Sequence, residues 1–153
     1  MSVSVCVLCS CGGQYYDVVF SSTLARAIQT ALAASTVRPV MLLYELTTLM
    51  ANPPTVPCYR RNTTSIIASY GTAVNASLIS PDSYPPKALV PETESNFVRR
   101  VFGALSRVVE LLPPGAKRVL IVCHGHVISR LTSVPYYIAT GARVSLDGSA
   151  VAC

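Results

Sequence analysis

The fold is decided by one short stretch of the chain, Val119-Leu120-Ile121-Val122-Cys123-His124-Gly125. Its first five residues are all apolar, without the alternation of a half-exposed strand. Such a run is typical of a central strand in a parallel sheet, because helices cover that strand on both faces. We therefore predict a buried strand over 119–123, with His124 and Gly125 at its carboxyl end.

Shorter strand patterns lie on both sides of this run. Residues 3–8, 17–20 and 39–44 are short and largely aliphatic, and each predicts a strand. Residues 143–152 alternate around an Asp-Gly pair, which favours a tight turn between two antiparallel strands. The end of the chain is therefore predicted to form a closing hairpin.

Apolar residues at helical spacing separate these strands. They cover residues 24–34, where hydroxyls at 21–23 offer N-caps, and residues 97–112, which form the strongest stripe. Weaker patterns predict a short helix near 62–70 and another over 127–133. Strands that alternate with helices predict an α/β fold. We expect a doubly wound, mostly parallel sheet with helices on both faces and an antiparallel edge strand.

The composition suits a single domain. The chain has 153 residues, of which 51% are hydrophobic and only 12% are charged, so a sizeable core can be buried. Prolines and small polar residues dominate residues 51–91, which makes long regular elements improbable there. We predict one domain over 1–153 with a proline-rich insertion at about 51–91.

Charge and cysteine content narrow the class of protein. Twelve Lys and Arg against seven Asp and Glu give a net charge of +5, which favours anionic partners, but no nucleic-acid motif accompanies the charge. The first residues lack a basic leader, and no apolar run is long enough to span a membrane. Because a chain of this size can bury an adequate core, its six cysteines are not needed for stabilising disulfide bonds. We expect a cytoplasmic protein with free thiols that binds neither nucleic acid nor membrane.

Polar side chains with chemical potential follow three of the predicted strands. Ligand sites of open α/β sheets lie outside the carboxyl ends of the strands. Arg26, in the first turn of a helix, can fork two N–H groups onto a phosphate. His124 with Gly125 lets a ligand reach both an imidazole and the backbone. Glu45 would supply a proton to a leaving alkoxide if partial burial raises its pKa.

Two of these stretches resemble motifs of one enzyme family. Residues 21–31, Ser-Ser-Thr-Leu-Ala-Arg-Ala-Ile-Gln-Thr-Ala, resemble the Ser-Ser-x-x-x-Arg-x-x-Gln-Thr-Ala motif of the histidine phosphatases, the phosphoglycerate mutase-like superfamily. Residues 119–125 resemble the strand that carries the second histidine of that family. Leu43-Tyr44-Glu45 and the proline-rich middle are most similar to the branch containing suppressor of T-cell receptor signalling and ecdysteroid-phosphate phosphatase proteins.

The resemblance implies roles for the matching residues. Arg26 would bind the phosphoryl group together with Ser22 and Gly125, and His124 would be the second histidine, which stabilises transferred charge. Glu45 would protonate the leaving group. No cofactor and no metal ion are implied, and the ligand would be a phosphorylated small molecule or a phosphoprotein.

One part of the family pattern is absent. The family's first strand ends in Arg-His-Gly, and its histidine is the nucleophile, yet this chain has no histidine before His124. Ser10-Cys11-Gly12 stands in the corresponding place, so a Cys11 thiolate is a speculative nucleophile. A shortened N-terminus in the gene model would also explain the difference.

Three functions stay open at this point. The chain is a phosphomonoesterase whose nucleophile is not identified, or a catalytically inactive relative that binds phosphorylated ligands. The third reading is a metal or redox protein built on Cys6, Cys9 and Cys11 with the histidines, although on a strand Cys9 and Cys11 would point to one face and Cys6 to the other. A sheet that has lost part of its first unit can expose an edge, which would favour oligomerisation.

Overall fold

The apolar run of the sequence forms the middle of a sheet in the computed structural model, which describes residues 2–6, 15–49, 62–79, 92–132, 143–145 and 150–151. Within these ranges the strands are β1 (Ser2–Cys6), β2 (Val18–Ser21), β3 (Val40–Leu42), β4 (Val74–Asn75), β5 (Arg118–Val122), β6 (Arg143–Ser145) and β7 (Ala150–Val151). The helices are α1 (Ala25–Ala34), α2 (Thr63–Tyr70), α3 (Glu94–Glu110) and α4 (Gly125–Leu131).

The sheet has the order β4-β3-β2-β5-β1-β6-β7. The five strands from β4 to β1 pair in parallel, whereas β6 is antiparallel to both β1 and β7. The prediction of a mostly parallel sheet with an antiparallel edge is therefore confirmed. The turn predicted at Asp147-Gly148 between β6 and β7 lies outside the described residues.

Helices cover both faces of β5, as its unbroken apolar run predicted. Leu120 and Val122 pack into a core on one face with residues of α1 and α2, among them Ile28 and Ile66. Val119 and Ile121 point to the other face. There they meet a second core from α3 and α4, whose buried members are Phe97, Val101, Ala104, Val108, Val127 and Ile128.

The strand β2 is tied to β5 at both ends. At the start, the Asp17 carboxylate accepts the backbone N–H groups of Lys117 (2.8 Å) and Arg118 (2.7 Å). These hydrogen bonds lower the pKa of Asp17, and the one from Arg118 contributes most. At the other end, the Ser22 N–H donates to the Val122 carbonyl at 3.0 Å. The register that pairs Ser21 with Val122 is therefore held from both sides.

Two local predictions change. The N-cap of α1 is Leu24, without a side-chain cap, so the expectation that residues 21–23 cap this helix is wrong. The reason is that the Ser22 hydroxyl, although it accepts the Leu24 N–H at 3.3 Å, lies 2.8 Å from the His124 Nε2. The second change is β4, a strand of two residues that the proline-rich segment contributes to the sheet edge. It was not predicted because two residues show no periodicity.

The short helix predicted near 62–70 is confirmed as α2, capped by Asn62, whose Oδ1 accepts the Ser65 N–H at 2.8 Å. Thr93 caps α3 in the same way, through the Asn96 N–H. Among the described residues, no helix is both long and apolar enough to cross a membrane.

Two phenylalanines of α3 provide a test of this packing. Phe97 is completely buried and Phe102 is 51% exposed. We expect Phe97→Ala to lower the free energy of unfolding by about 3–5 kcal/mol, because it opens a cavity between α3 and the sheet. Phe102→Ala, the matched control, should change it by less than about 0.5 kcal/mol. Urea unfolding followed by circular dichroism measures both, and equal losses would contradict the core assignment.

Candidate active site

The carboxyl ends of β2, β3 and β5 meet at one edge of the sheet. Ser21 lies opposite both Leu42 and Val122, so the three strands end at the same level. The Leu43 N–H then donates to the Ser21 carbonyl at 2.9 Å. The residues that follow these strands, which include Ser22 and His124, are thereby brought together, as expected for parallel strands.

Ser22 and His124 are in direct contact at this edge. The Ser22 Oγ lies 2.8 Å from the His124 Nε2, although the two residues are 102 positions apart in the chain. Ser22 is fully buried and His124 is only 7% exposed. Because the Ser22 oxygen already accepts the Leu24 N–H, its own proton is available for a neutral Nε2. The contact therefore fits a neutral imidazole whose proton is on Nδ1.

Burial lowers the pKa of His124 from its ordinary value of 6.5 to about 3, and the positive charges of Arg26 and Arg100 act in the same direction. His124 is thus uncharged at neutral pH. Its surroundings are positive, which favours an anion.

Arg26 lies on the first turn of α1, near enough for its charge to act on His124. Its side chain is exposed, and it forms no hydrogen bond or ion pair within the described part of the chain. A guanidinium with unused donors beside a neutral histidine is suited to binding a phosphoryl group. The predicted phosphate residues are Arg26, Ser22 and Gly125. The structure brings all three near His124, because Ser22 contacts the His124 ring and Gly125 directly follows His124 as the first residue of α4.

Arg100 is a member of this region that the sequence did not reveal. Its guanidinium binds both carboxylate oxygens of Glu92, at 2.8 and 2.6 Å, and donates to the carbonyls of Glu45 (2.7 Å) and Thr47 (2.9 Å). Its position on α3, three residues after the buried Phe97, was a signal for an inward-facing arginine.

Glu45 lies beyond β3, in a 3₁₀ turn over Tyr44–Leu46. Its Oε1 accepts a hydrogen bond from Arg107 at 2.8 Å, and its Oε2 is buried without a hydrogen-bond partner in the described residues. Within those residues it forms no hydrogen bond with His124, Ser22 or Arg26. Its carboxyl group is thus held by α3, at the same edge of the sheet as His124.

The structure describes only some of the cysteines for which a role was predicted. Cys11, the speculative nucleophile, and Cys9 lie outside the described residues, so both stay predictions. Cys123 is buried in the core. Among the residues with a described side chain, no three of the types His, Cys, Asp and Glu lie close enough to hold a metal ion.

A family comparison agrees with this arrangement of motifs. Residues 11–135 match the family model of the histidine phosphatase superfamily (branch 1). The chain belongs to the histidine phosphatase superfamily. No curated protein gives a significant match to this histidine phosphatase domain. The narrower likeness to the suppressor of T-cell receptor signalling and ecdysteroid-phosphate phosphatase branch stays a prediction.

Solved structures show the same fold at low sequence identity. TTHB049 from Thermus thermophilus is 16% identical, with 99% of this chain and 98% of that chain covered and a TM-score of 0.58. A proposed alpha-ribazole-5'-P phosphatase from Escherichia coli is 17% identical, with coverage of 95% and 89% and a TM-score of 0.55. The phosphoglycerate mutase-like fold predicted for this histidine phosphatase domain is confirmed.

The low pKa of His124 makes stability depend on pH. Unfolding restores the ordinary pKa of 6.5. Between about pH 3 and pH 6.5, His124 is therefore protonated in the unfolded chain and neutral in the folded chain. The free energy of unfolding should therefore be highest above pH 6.5. Below pH 6.5 it should fall by about 1.4 kcal/mol per pH unit, which amounts to about 2 kcal/mol by pH 5.

Urea unfolding between pH 7.5 and 5 measures this loss. His124→Gln should flatten the profile. A profile that is the same in wild type and in His124→Gln would show that His124 is not held neutral.

Proposed function

We propose that this domain binds the phosphoryl group of a phosphomonoester at the edge where β2 and β5 end, and hydrolyses the ester when a nucleophile reaches that edge. The observation that carries the proposal is the 2.8 Å contact between Ser22 and His124, within range of the Arg26 charge. Membership of the histidine phosphatase superfamily supports the same chemistry.

The charges of the site suit a phosphate dianion. Arg26 offers a guanidinium without a hydrogen-bond partner among the described residues, on the first turn of α1, where the positive end of the helix dipole adds to the attraction. A bound dianion would stabilise protonated His124, because the opposite charge offsets part of the desolvation penalty. His124 can then donate a hydrogen bond to the phosphoryl group. The Ser22 hydroxyl lies 2.8 Å from the His124 Nε2 and is close to the same phosphoryl position.

A buried hydroxyl next to this site also lacks a partner. Thr23 is fully buried, and its Oγ1 has no hydrogen bond within the described ranges. An unsatisfied buried hydroxyl costs roughly 1–3 kcal/mol, which a ligand oxygen would recover. The ligand class we propose is a phosphorylated small molecule or phosphoprotein. The E. coli protein of similar fold is named as a proposed alpha-ribazole-5'-P phosphatase, and a phosphate ester is in line with that name.

A second candidate function is binding without hydrolysis. The two histidines of the chain both follow β5, and the His126 ring packs edge-on against Phe97, with 6.2 Å between ring centroids. No second histidine is therefore available before Arg26 in this sequence. An inactive relative that binds phosphorylated ligands through Arg26, His124 and Ser22 would need no nucleophile.

Binding of inorganic phosphate tests the site directly. A ligand at one hundred times its Kd stabilises by about 2.7 kcal/mol, which for a chain of this size raises Tm by roughly 5–10 °C. We expect this shift in wild type and its loss in Arg26→Ala. Arg118→Ala is the control, because Arg118 begins β5 at the opposite edge of the sheet. An unchanged shift in Arg26→Ala would exclude Arg26 from the site.

Hydrolysis of p-nitrophenyl phosphate separates the two candidate functions. If the domain is active, His124→Ala should lower kcat/KM by about 10²–10⁴-fold, the usual loss when an acid–base or charge-stabilising group is removed. Glu45→Ala should lower it less, because p-nitrophenolate leaves without much need for a proton. A wild-type rate equal to the buffer rate, together with phosphate binding, favours the inactive binder.

A further inference from the structure

Two arginines of α3 reach the turn that carries Glu45. Arg100 and Arg107 are seven residues apart, close to two helical turns, so they project from the same face of α3. Arg107 donates to the Glu45 carboxylate at 2.8 Å, and Arg100 donates to the Glu45 backbone carbonyl at 2.7 Å. The side chain and the backbone of Glu45 are therefore held by one helix.

We propose that Arg107 is the positioning residue of the Glu45 carboxyl group. It binds Oε1 and thereby leaves Oε2 as the oxygen that hydrogen-bonds to the ester oxygen of a bound phosphomonoester. Arg100 fixes the backbone of the same turn. This inference rests on the proposed function, because it assigns Glu45 to the leaving-group side of the phosphoryl site.

The backbone of the turn is firmly held. Besides the Glu45 carbonyl, Arg100 binds the carbonyl of Thr47 at 2.9 Å and that of Thr48 at 3.3 Å. Arg100 is itself fixed by Glu92, and both side chains of that pair are only 12% exposed. Its guanidinium also lies over the Phe97 ring, 5.2 Å from the centroid. The turn therefore has little freedom to move away from α3.

The Arg107 contact contributes orientation more than stability. The side chains of Arg107 and Glu45 are 36% and 28% exposed, and pairs of this kind contribute little to folding. The second nitrogen of Arg107 donates to the Leu78 carbonyl at 2.8 Å, so the guanidinium has a fixed direction. Oε1 can accept this hydrogen bond whether or not Oε2 carries a proton.

The second oxygen of Glu45 is the observation that points to a ligand. Oε2 is buried and has no partner among the described residues. Buried polar atoms are nearly always hydrogen-bonded, and an unpaired one in a folded protein calls for a reason. A hydrogen bond between Oε2 and a ligand oxygen supplies that reason.

Phosphate and vanadate affinities test the proposal without requiring turnover. Trigonal-bipyramidal vanadate places an oxygen where a leaving group would depart, and such analogues bind at least about 10²-fold more tightly than ground-state ligands. We expect wild type to prefer vanadate over phosphate. Arg107→Met should lose on the order of tenfold of that preference, with phosphate affinity changed by about twofold or less.

Three further variants complete the design. Glu45→Ala removes both carboxyl oxygens and should lose the preference as Arg107→Met does. Arg107→Lys should recover part of it, because an ammonium group can still reach Oε1 but cannot also bind the Leu78 carbonyl in the same fork. Arg118→Met removes an equal charge from the far edge of the sheet and should change neither affinity. Circular dichroism confirms that each variant is folded, and Arg107→Lys carries the test if Arg107→Met unfolds.

The outcomes are distinct. A preference for vanadate that is unchanged in Arg107→Met, or a wild type without any preference, overturns the positioning role while phosphate binding stands. Equal losses of phosphate and vanadate affinity also overturn it, since they indicate a general effect on the site. If wild type binds neither anion, the proposed function itself fails.

Discussion

The parallel pairing of β2 with β5 is the interaction on which the site depends. At the start of this pair, the Asp17 carboxylate accepts two backbone N–H groups from the residues that begin β5. At its end, the Ser22 N–H donates to the Val122 carbonyl. A slip of one residue in a strand exchanges the faces to which its side chains point. In this domain, such a slip would also separate Ser22 from His124. The contact between two residues that are 102 positions apart is thus a consequence of sheet register.

The helix α3 is the second support of the site. It packs its apolar stripe against one face of the sheet, and that packing delivers Arg100 and Arg107 to the turn beyond β3. The cost of burying Arg100 is offset by Glu92, which meets the guanidinium with both oxygens. Burial keeps the His124 imidazole neutral, and the positive charges around it act in the same direction and attract anions. Packing and electrostatics therefore act together, because the same helix supplies both.

The fold of this domain is shared by proteins with very different sequences. The solved structures share the fold at 16% and 17% identity, which shows how little of the sequence the architecture requires. The family match covers 11–135, whereas β1, β6 and β7 lie beyond it and still extend the sheet. Function on a common fold resides in the side chains at the strand ends. For this domain the side chains that we propose are Arg26, His124 and Ser22, with Glu45 bound by α3 at the same edge of the sheet.

The elements that could be predicted are those with a local cause. Five apolar residues in succession specify a strand covered on both faces, and the stripe from Phe97 to Val108 specifies α3, because each pattern reports burial of a repeating backbone geometry. Arg26, His124 and Glu45 could be named because they follow strands in a recognisable order. The two-residue strand β4 left no pattern to detect.

The partners of these side chains could not be predicted. The Ser22 hydroxyl, interpreted as a helix cap, bonds to His124, and Arg100 and Arg107, hidden in a helical pattern, bind the turn around Glu45. The sequence by itself determined the order of strands and helices and the residue types at the strand ends. Only the tertiary structure decided which of them touch, because those contacts join residues 55 to 102 positions apart, and their geometry is set by sheet register and helix packing.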